Sequence, residues 1–255
     1  MNYFSNNPNT LYRFGNNEEA VLIQDISVYA NVIDQLKDDV TTYQKYTILE
    51  NMRPDQVSFK LYGTTDFYWT FFLLNDNIRE QGWPLSQTEL LAQCQRDFPG
   101  TTLVTADDLT SDQLTDTGAV RDKIVEGVTV IGQTSGVTAI VDHRHLDLGQ
   151  VIVKGTKAFI EGEFVYLSSD INVGFNATTV VTEYLSVHHW EDGNGDYVDL
   201  IDANGIVDIT GGASNTAVTQ LGRYIRQNDL LKEIKVFKKE IVGQVSDAIK
   251  TAISS

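Results

Sequence analysis

A chain of 255 residues and 28.4 kDa has room for one large or two modest domains, and at this length buries roughly 70% of its unfolded surface without disulfides. Its single cysteine, Cys94, excludes an internal disulfide framework, and 42% hydrophobic with 10% aromatic content excludes a disordered acidic tail. The net charge of −16 argues against a general nucleic-acid binder, which needs clustered Lys and Arg, and against docking on an anionic membrane.

Met1–Thr10 is polar and Asn-rich, so it does not read as a signal peptide. Met1–Asn17 reads as a loose arm. Ile26, Tyr29, Ala30, Ile33, Leu36 and Val40 suit one helical face. Val40–Leu49, rich in β-branched and aromatic residues, predicts a strand. Pro54 at a first turn and Gly63 just past an end predict a helix over 54–62. Thr65 is expected to cap a second helix containing Phe67–Leu74, with Asn75 near its end. That apolar run is the longest in the chain and is far short of the ~20 residues a membrane helix needs. Ser86 and Glu89 form a capping box, Leu85 and Leu90 its staple, and Pro99-Gly100 a stop, which predicts a third helix between them.

Thr101–Asp122 carries five aspartates against one arginine and reads as an exposed linker, or as a docking strip for a basic partner. Ile124–Leu185 is a series of short β runs: Val128–Ile131, Val137–Val141, Gln150–Val153, Phe164–Leu167 and Thr178–Tyr184. Glycines punctuate them, which predicts a small β-barrel or β-sandwich. Glu126-Gly127-Val128-Thr129-Val130 is echoed 35 residues later by Glu161-Gly162-Glu163-Phe164-Val165 and suggests a duplicated hairpin. Val187–Trp190 and Tyr197–Ile201 flank Gly193-Asn194-Gly195 and read as a hairpin. Ala217, Leu221, Tyr224 and Ile225 suit a helix, Leu231–Phe237 a short strand, and Ile241–Ile249 a final amphipathic helix. Residues 221–250 hold seven bases and four acids. The fold class expected is α+β.

Few residues carry recognisable chemistry. Asp192-x-Asn194-x-Asp196 resembles the start of a calcium loop, but Tyr197 and Ala203 stand where glycine and glutamate are required, so a plain hairpin turn is expected. His143 and His145 would share one face of a strand, with Asp142 and Asp147 nearby, but lack the closed spacing of a metal site. Gly132-Gln133-Thr134-Ser135-Gly136 leads into a β run and not a helix, so it is no phosphate loop. Cys94, inside a helix, reads as a structural thiol. No catalytic, cofactor or metal residues are assigned. The densest apolar feature is Phe67, Tyr68, Trp69, Phe71 and Phe72, with Tyr62 before and Trp83 after, which suits helix core or a partner contact.

Leu61-Tyr62-Gly63, Tyr68-Trp69, Leu74-Asn75-Asp76-Asn77 and Gly82-Trp83-Pro84-Leu85-Ser86 run in an order and spacing that resembles the small baseplate wedge protein of T-even-type contractile-tailed bacteriophages. Tyr46-Thr47-Ile48, Arg53-Pro54-Asp55, Gln227-Asn228-Asp229 and Leu231–Val236 fit the same pattern. The resemblance spans about 21–98 and 187–250. With it the chain divides into an extended arm at 1–20, a LysM-like strand–helix–helix wedge domain at 21–99, an acidic linker and β-rich domain at 100–186 that departs from the family pattern and reads as an insertion, and a hairpin, strand and helices at 187–255 completing the wedge domain. The resemblance implies a non-enzymatic virion protein, assembled in the host cytoplasm and present in six copies. Its partners would be other wedge and sheath-initiating tail proteins, with no nucleic acid, membrane, cofactor or small-molecule substrate. The residues it marks as partner-interface or family-motif positions are Tyr62, Gly63, Trp69, Asn75, Asp76, Asn77, Trp83, Ile234, Lys235 and Lys238. The rival reading of the same strand–helix–helix run is a LysM-type peptidoglycan binder. A third, metal-assisted chemistry, would rest on His143 and His145.

Overall fold

The computed structural model describes residues 9–13, 20–24, 42–106, 119–200 and 208–254. The helical face expected on Ile26–Val40 lies outside them, as does most of the acidic stretch. The fold is mixed α and β with several small sheets, as the sequence predicts. It divides into two compact units, Met1–Ser86 with Gln227–Ser255, and Gln87–Arg226.

In the first unit, strands β1 (Asn9–Tyr12) and β2 (Val21–Gln24) pair as an antiparallel hairpin in and just beyond the stretch read as a loose arm. Strand β3 (Tyr43–Thr47) follows. Helix α1 (Pro54–Tyr62) starts at its proline, where the Gln56 side chain accepts the Arg53 N–H at 3.0 Å. It ends at Gly63, whose φ of +79° and N–H to Phe59 O at 2.9 Å form a left-handed cap. Helix α2 (Trp69–Leu74) is shorter than expected, because residues 64–68 form turns. Asn75, extended at φ −126° and ψ 102°, separates it from α3 (Asp76–Gln81). The sequence does not announce α3: its buried anchor Ile78 stands alone among polar residues, so no apolar period shows.

The second unit opens with α4 (Gln87–Asp97), which stops before Pro99-Gly100 as predicted. Strand β4 (Thr101–Val104) corrects the linker reading at that point. Thr101, Thr102 and Leu103 are buried, so these residues are core and not exposed loop. A π-helical turn at Ala119–Lys123 buries Val120, with Ile124 buried just after it. Strands β5 (Thr129–Gly132), β6 (Thr138–His145), β7 (Gln150–Val153), β8 (Phe164–Leu167), β9 (Asp170–Asn176) and β10 (Thr179–Thr182) join β4 in one antiparallel sheet. Its order is β10-β4-β7-β6-β5-β8-β9.

β9 and β10 stand at opposite ends of that order, yet only Ala177 and Thr178 separate them. The Ala177 N–H donates to Glu163 O at 2.9 Å on the β8 side, and the Thr178 N–H to Val104 O at 2.8 Å on the β4 side. Adjacent residues therefore pair with the two ends of the sheet, so the sheet curls into a small barrel. Leu103, Val130, Val141, Val151, Val165 and Phe175 fill its core.

The 35-residue echo corresponds to a structural repeat. Gly127 and Gly162 have φ of +83° and +80°. The first donates to Val141 O at 2.9 Å and the second to Ala177 O at 2.7 Å. Each opens a hairpin, and the order β6-β5-β8-β9 sets the two hairpins back to back.

Strands β11 (Val187–Glu191), β12 (Tyr197–Val198) and β13 (Thr216–Thr219) form a separate sheet. β11 and β12 are the expected hairpin. β13 corrects the reading of Ala217 as helical: Thr216, Val218 and Thr219 give it strand character. Helix α5 (Gln220–Lys232) runs across the division between the units and takes in Leu231. Strand β14 (Glu233–Phe237) then pairs antiparallel with β3, from Glu233 opposite Thr47 to Phe237 opposite Tyr43. Helix α6 (Val242–Ser254) ends the chain as predicted.

Candidate partner-binding site

Of the marked motif residues, Tyr62, Asn75, Asp76, Asn77, Ile234 and Lys235 gather at β14. This strand follows the long excursion Gln87–Arg226 and must be fastened to helices that precede it. Its inner edge pairs with β3. On its outer edge, Lys235 offers its N–H and C=O to the side chain of Asn75. Asn75 Oδ1 accepts the Lys235 N–H at 2.7 Å, and Asn75 Nδ2 donates to Lys235 O and to Phe71 O, each at 2.8 Å. One buried amide thus replaces a neighbouring strand. Two residues on, Tyr62 Oη donates to Phe237 O at 3.0 Å. Burial pushes the Tyr62 phenol well above its ordinary range, so it remains a donor. The Tyr62 ring meets Phe67 edge-on at 5.7 Å and stacks on Phe71 at 6.2 Å.

A second amide makes the same clip elsewhere. Asn228 Oδ1 accepts the Leu85 N–H at 2.8 Å and Asn228 Nδ2 donates to Leu85 O at 3.0 Å. Asn228 is missing from the marked residues, although asparagine is a poor helix former and its place inside α5 hinted at a partner. Trp83 Nε1 donates to Met52 O at 2.7 Å, with its rings 6.0 and 5.9 Å from Phe71 and Phe72. Trp69 is half-buried at the start of α2, and Ile234 is in the core.

Asp76, Asn77, Lys235 and Lys238 reach the surface. Asp76 pairs with Arg79 at 2.5 Å, and Asn77 Nδ2 donates to Leu230 O at 3.4 Å. The Lys235 ammonium lies 4.8 Å over the Tyr43 ring. Lys238 continues the ladder through its N–H to Thr42 O at 3.1 Å. A cavity of about 350 Å³ opens over the Asn75–Lys235 clip, with Lys45, Asp76, Asn77 and Glu233 on its rim. This rim carries both signs of charge and hydrogen-bonding groups, which suits a polar protein segment.

Outside this region, the Asp192 loop is a hairpin turn. Asp192 Oδ1 accepts the N–H groups of Asn194 and Asp196 at 2.8 and 3.0 Å, which hold its carboxyl below the ordinary range. His143 and His145 do come together, with ring centroids 5.2 Å apart. Among the described residues no group of three His, Cys, Asp or Glu is placed to hold a metal ion. Cys94 is buried, and burial together with Asp97 pushes its thiol up, away from nucleophilic use.

No curated protein matches the chain. Residues 6–94 match the family model described as base plate wedge protein 53, a segment that runs from β1 into α4 and contains the marked motifs through Trp83. That match, over the residues that fasten the closing strand, supports a phage baseplate wedge protein with a structural role.

Proposed function

We propose that this protein is a structural component of a contractile-tail baseplate wedge and joins wedges to each other and to the hub through protein–protein contacts. The family match over residues 6–94 carries this reading. Surface chemistry supports it. Leu11, Tyr12, Val21 and Leu22 on the β1–β2 hairpin are 49–69% exposed, and a lone two-stranded hairpin is marginal in water. Buried against a neighbour, it would order. Asp76, Asn77, Lys235 and Lys238 are the marked residues available to a partner, whereas Tyr62, Asn75, Trp83 and Ile234 shape the unit. Six copies per particle, sheath-initiating proteins as neighbours and assembly in the host cytoplasm follow from the same reading. The β-rich middle is an insertion in the wedge domain.

Co-purification with neighbouring tail proteins tests this. Removing residues 1–17, which disrupts the hairpin, is expected to abolish wedge assembly; unchanged assembly dismisses the arm. Reversing charge at Lys235, Lys238 and Lys239 is expected to weaken partner binding about tenfold and flatten its salt dependence; an unchanged salt slope dismisses the basic contact.

The strand–helix–helix run closed by β14 also favours a second reading, a LysM-type peptidoglycan binder. Retention on purified peptidoglycan without affinity for tail proteins would replace the wedge reading with this one.

A further inference from the structure

The second unit holds a hydrogen-bond chain outside the region around β14. Arg223 Nη1 lies 3.2 Å from His188 Nε2. His188 Nδ1 lies 2.8 Å from His189 Nδ1, and His189 Nε2 lies 2.9 Å from Glu191 Oε1. Arg226 Nη1 donates back to Glu191 at 2.6 and 2.8 Å. A guanidinium only donates and an ionised carboxylate only accepts. His188 Nε2 must therefore be bare and its Nδ1 protonated. His189 Nδ1 must then be bare and its Nε2 protonated. Every link is satisfied in one arrangement, and both imidazoles are neutral in it.

The backbone is built for this contact. Consecutive strand residues normally face opposite sides of a sheet. Val187 pairs with Thr219 but His189 with Val218, so His188 is the extra residue of a β-bulge. The bulge turns both rings to one side. Arg223 and Arg226 are spaced i, i+3 on α5 and so share one helix face.

We propose that this chain is an acid-sensitive latch that holds α5 to β11 while His188 is neutral and releases it when His188 is protonated. A proton on His188 Nε2 would confront the Arg223 guanidinium. The attractive link then becomes a repulsive one.

The surroundings set the direction. Burial, Arg223 of α5, His189 of β11 and His145 of β6 all lower the His188 pKa below 6.5. His145, itself lowered by burial and His143, is raised by Asp147 and Glu183, too little to reverse the shift. Arg226 and then His189 hold the Glu191 carboxyl below its ordinary range, so it remains an acceptor. Tyr197 of β12 stacks on His189 at 5.9 Å. Because the folded His188 pKa lies below the unfolded value, the latch contributes fully above about pH 6.5 and is lost as pH falls through the folded pKa.

The test uses the full chain. Imidazole nitrogen spectra at pH 7.5 are expected to show neutral His188 protonated at Nδ1 and neutral His189 protonated at Nε2. Amide hydrogen exchange, corrected for intrinsic rate, is expected to lose about tenfold protection over 187–191 and 216–226 between pH 7.5 and 5.0. The β7 amides serve as the internal reference and keep theirs. His188→Gln should remove the pH response, and Arg223→Gln should move the midpoint of the His188 imidazole titration to higher pH. A charged His188 at pH 7.5, or an undiminished response in His188→Gln, overturns the proposal. Should His188→Gln fail to fold, the wild-type tautomers and the Arg223→Gln midpoint decide: an unmoved midpoint overturns it.

Discussion

Single buried polar side chains fasten this protein where hydrophobic packing gives no register. Asn75 is 6% exposed and meets both backbone groups of Lys235. Asn75→Ala strands those groups, and each buried unsatisfied group costs about 1–3 kcal/mol. A loss of roughly 2–4 kcal/mol is therefore expected in urea unfolding, and a change below about 0.5 kcal/mol would show that water replaces the amide. Glu163, 4% exposed, gathers donors from the Ile160, Thr134 and Ser135 N–H groups and the Ser135 hydroxyl at 2.7–3.0 Å. Burial alone would raise its pKa, but these bonds outweigh burial and hold it below the ordinary 4.5. Its stabilising contribution is thus present above about pH 4.5 and drains as pH falls further. Glu163→Gln should lose about 1–3 kcal/mol at pH 7, and the deficit should shrink below pH 4.5. A deficit constant from pH 7 to 3 would mean that shape, not charge, matters there. Asn75 was legible as a motif residue. Glu163 was visible only as part of the weak repeat, because a single carboxylate among 35 acids has no local signature.

The elements follow local signals where these are complete. α1 has its proline and its glycine, α4 its stop, and β7 and β8 are continuous β-formers, so all four match their expected ranges closely. β9 carries little strand signal, because Asp170, Asn172, Gly174 and Asn176 alternate with its apolar residues and such types are depleted in strands. Their positions are set by tertiary contact. A Cβ on Gly174 would meet Val165 O at 2.3 Å and Tyr166 Cα at 2.8 Å, both backbone atoms of the paired strand. Gly174→Ala is expected to destabilise the barrel by about 1–3 kcal/mol, read as a lowered melting temperature of its β signal. An unchanged melting temperature would mean that the bulge between Tyr166 and Leu167 absorbs the methyl group. Ala217 shows the converse case. Its spacing to Leu221 suits a helix, but pairing with Trp190 makes it strand, since period alone cannot see a partner.

At the scale of the whole chain, the two hydrophobic cores are separate: one gathers Val57, Phe71, Ile78, Ile234 and Phe237, and the other fills the barrel. The first takes its closing strand from beyond Gln227. A chain truncated after Arg226 leaves β3 without β14 and removes Ile234, Val236 and Phe237 from that core. Its cooperative unfolding is expected to vanish, while the barrel keeps its own transition. Two intact transitions in the truncated chain would show that β14 is dispensable.

From its sequence alone, this protein is an acidic α+β chain with well-marked helices, a glycine-punctuated β middle and a string of wedge-like motifs. Those features are local: caps, turns, alternation and spacing act within a few residues. What only the tertiary structure decided is long-range. It pairs β3 with a strand some 190 residues later, closes the barrel through Ala177-Thr178, and brings two neighbouring histidines to one side of a bulge. Each of these depends on which backbone groups find partners across the fold, and one-dimensional periodicity carries no record of that choice.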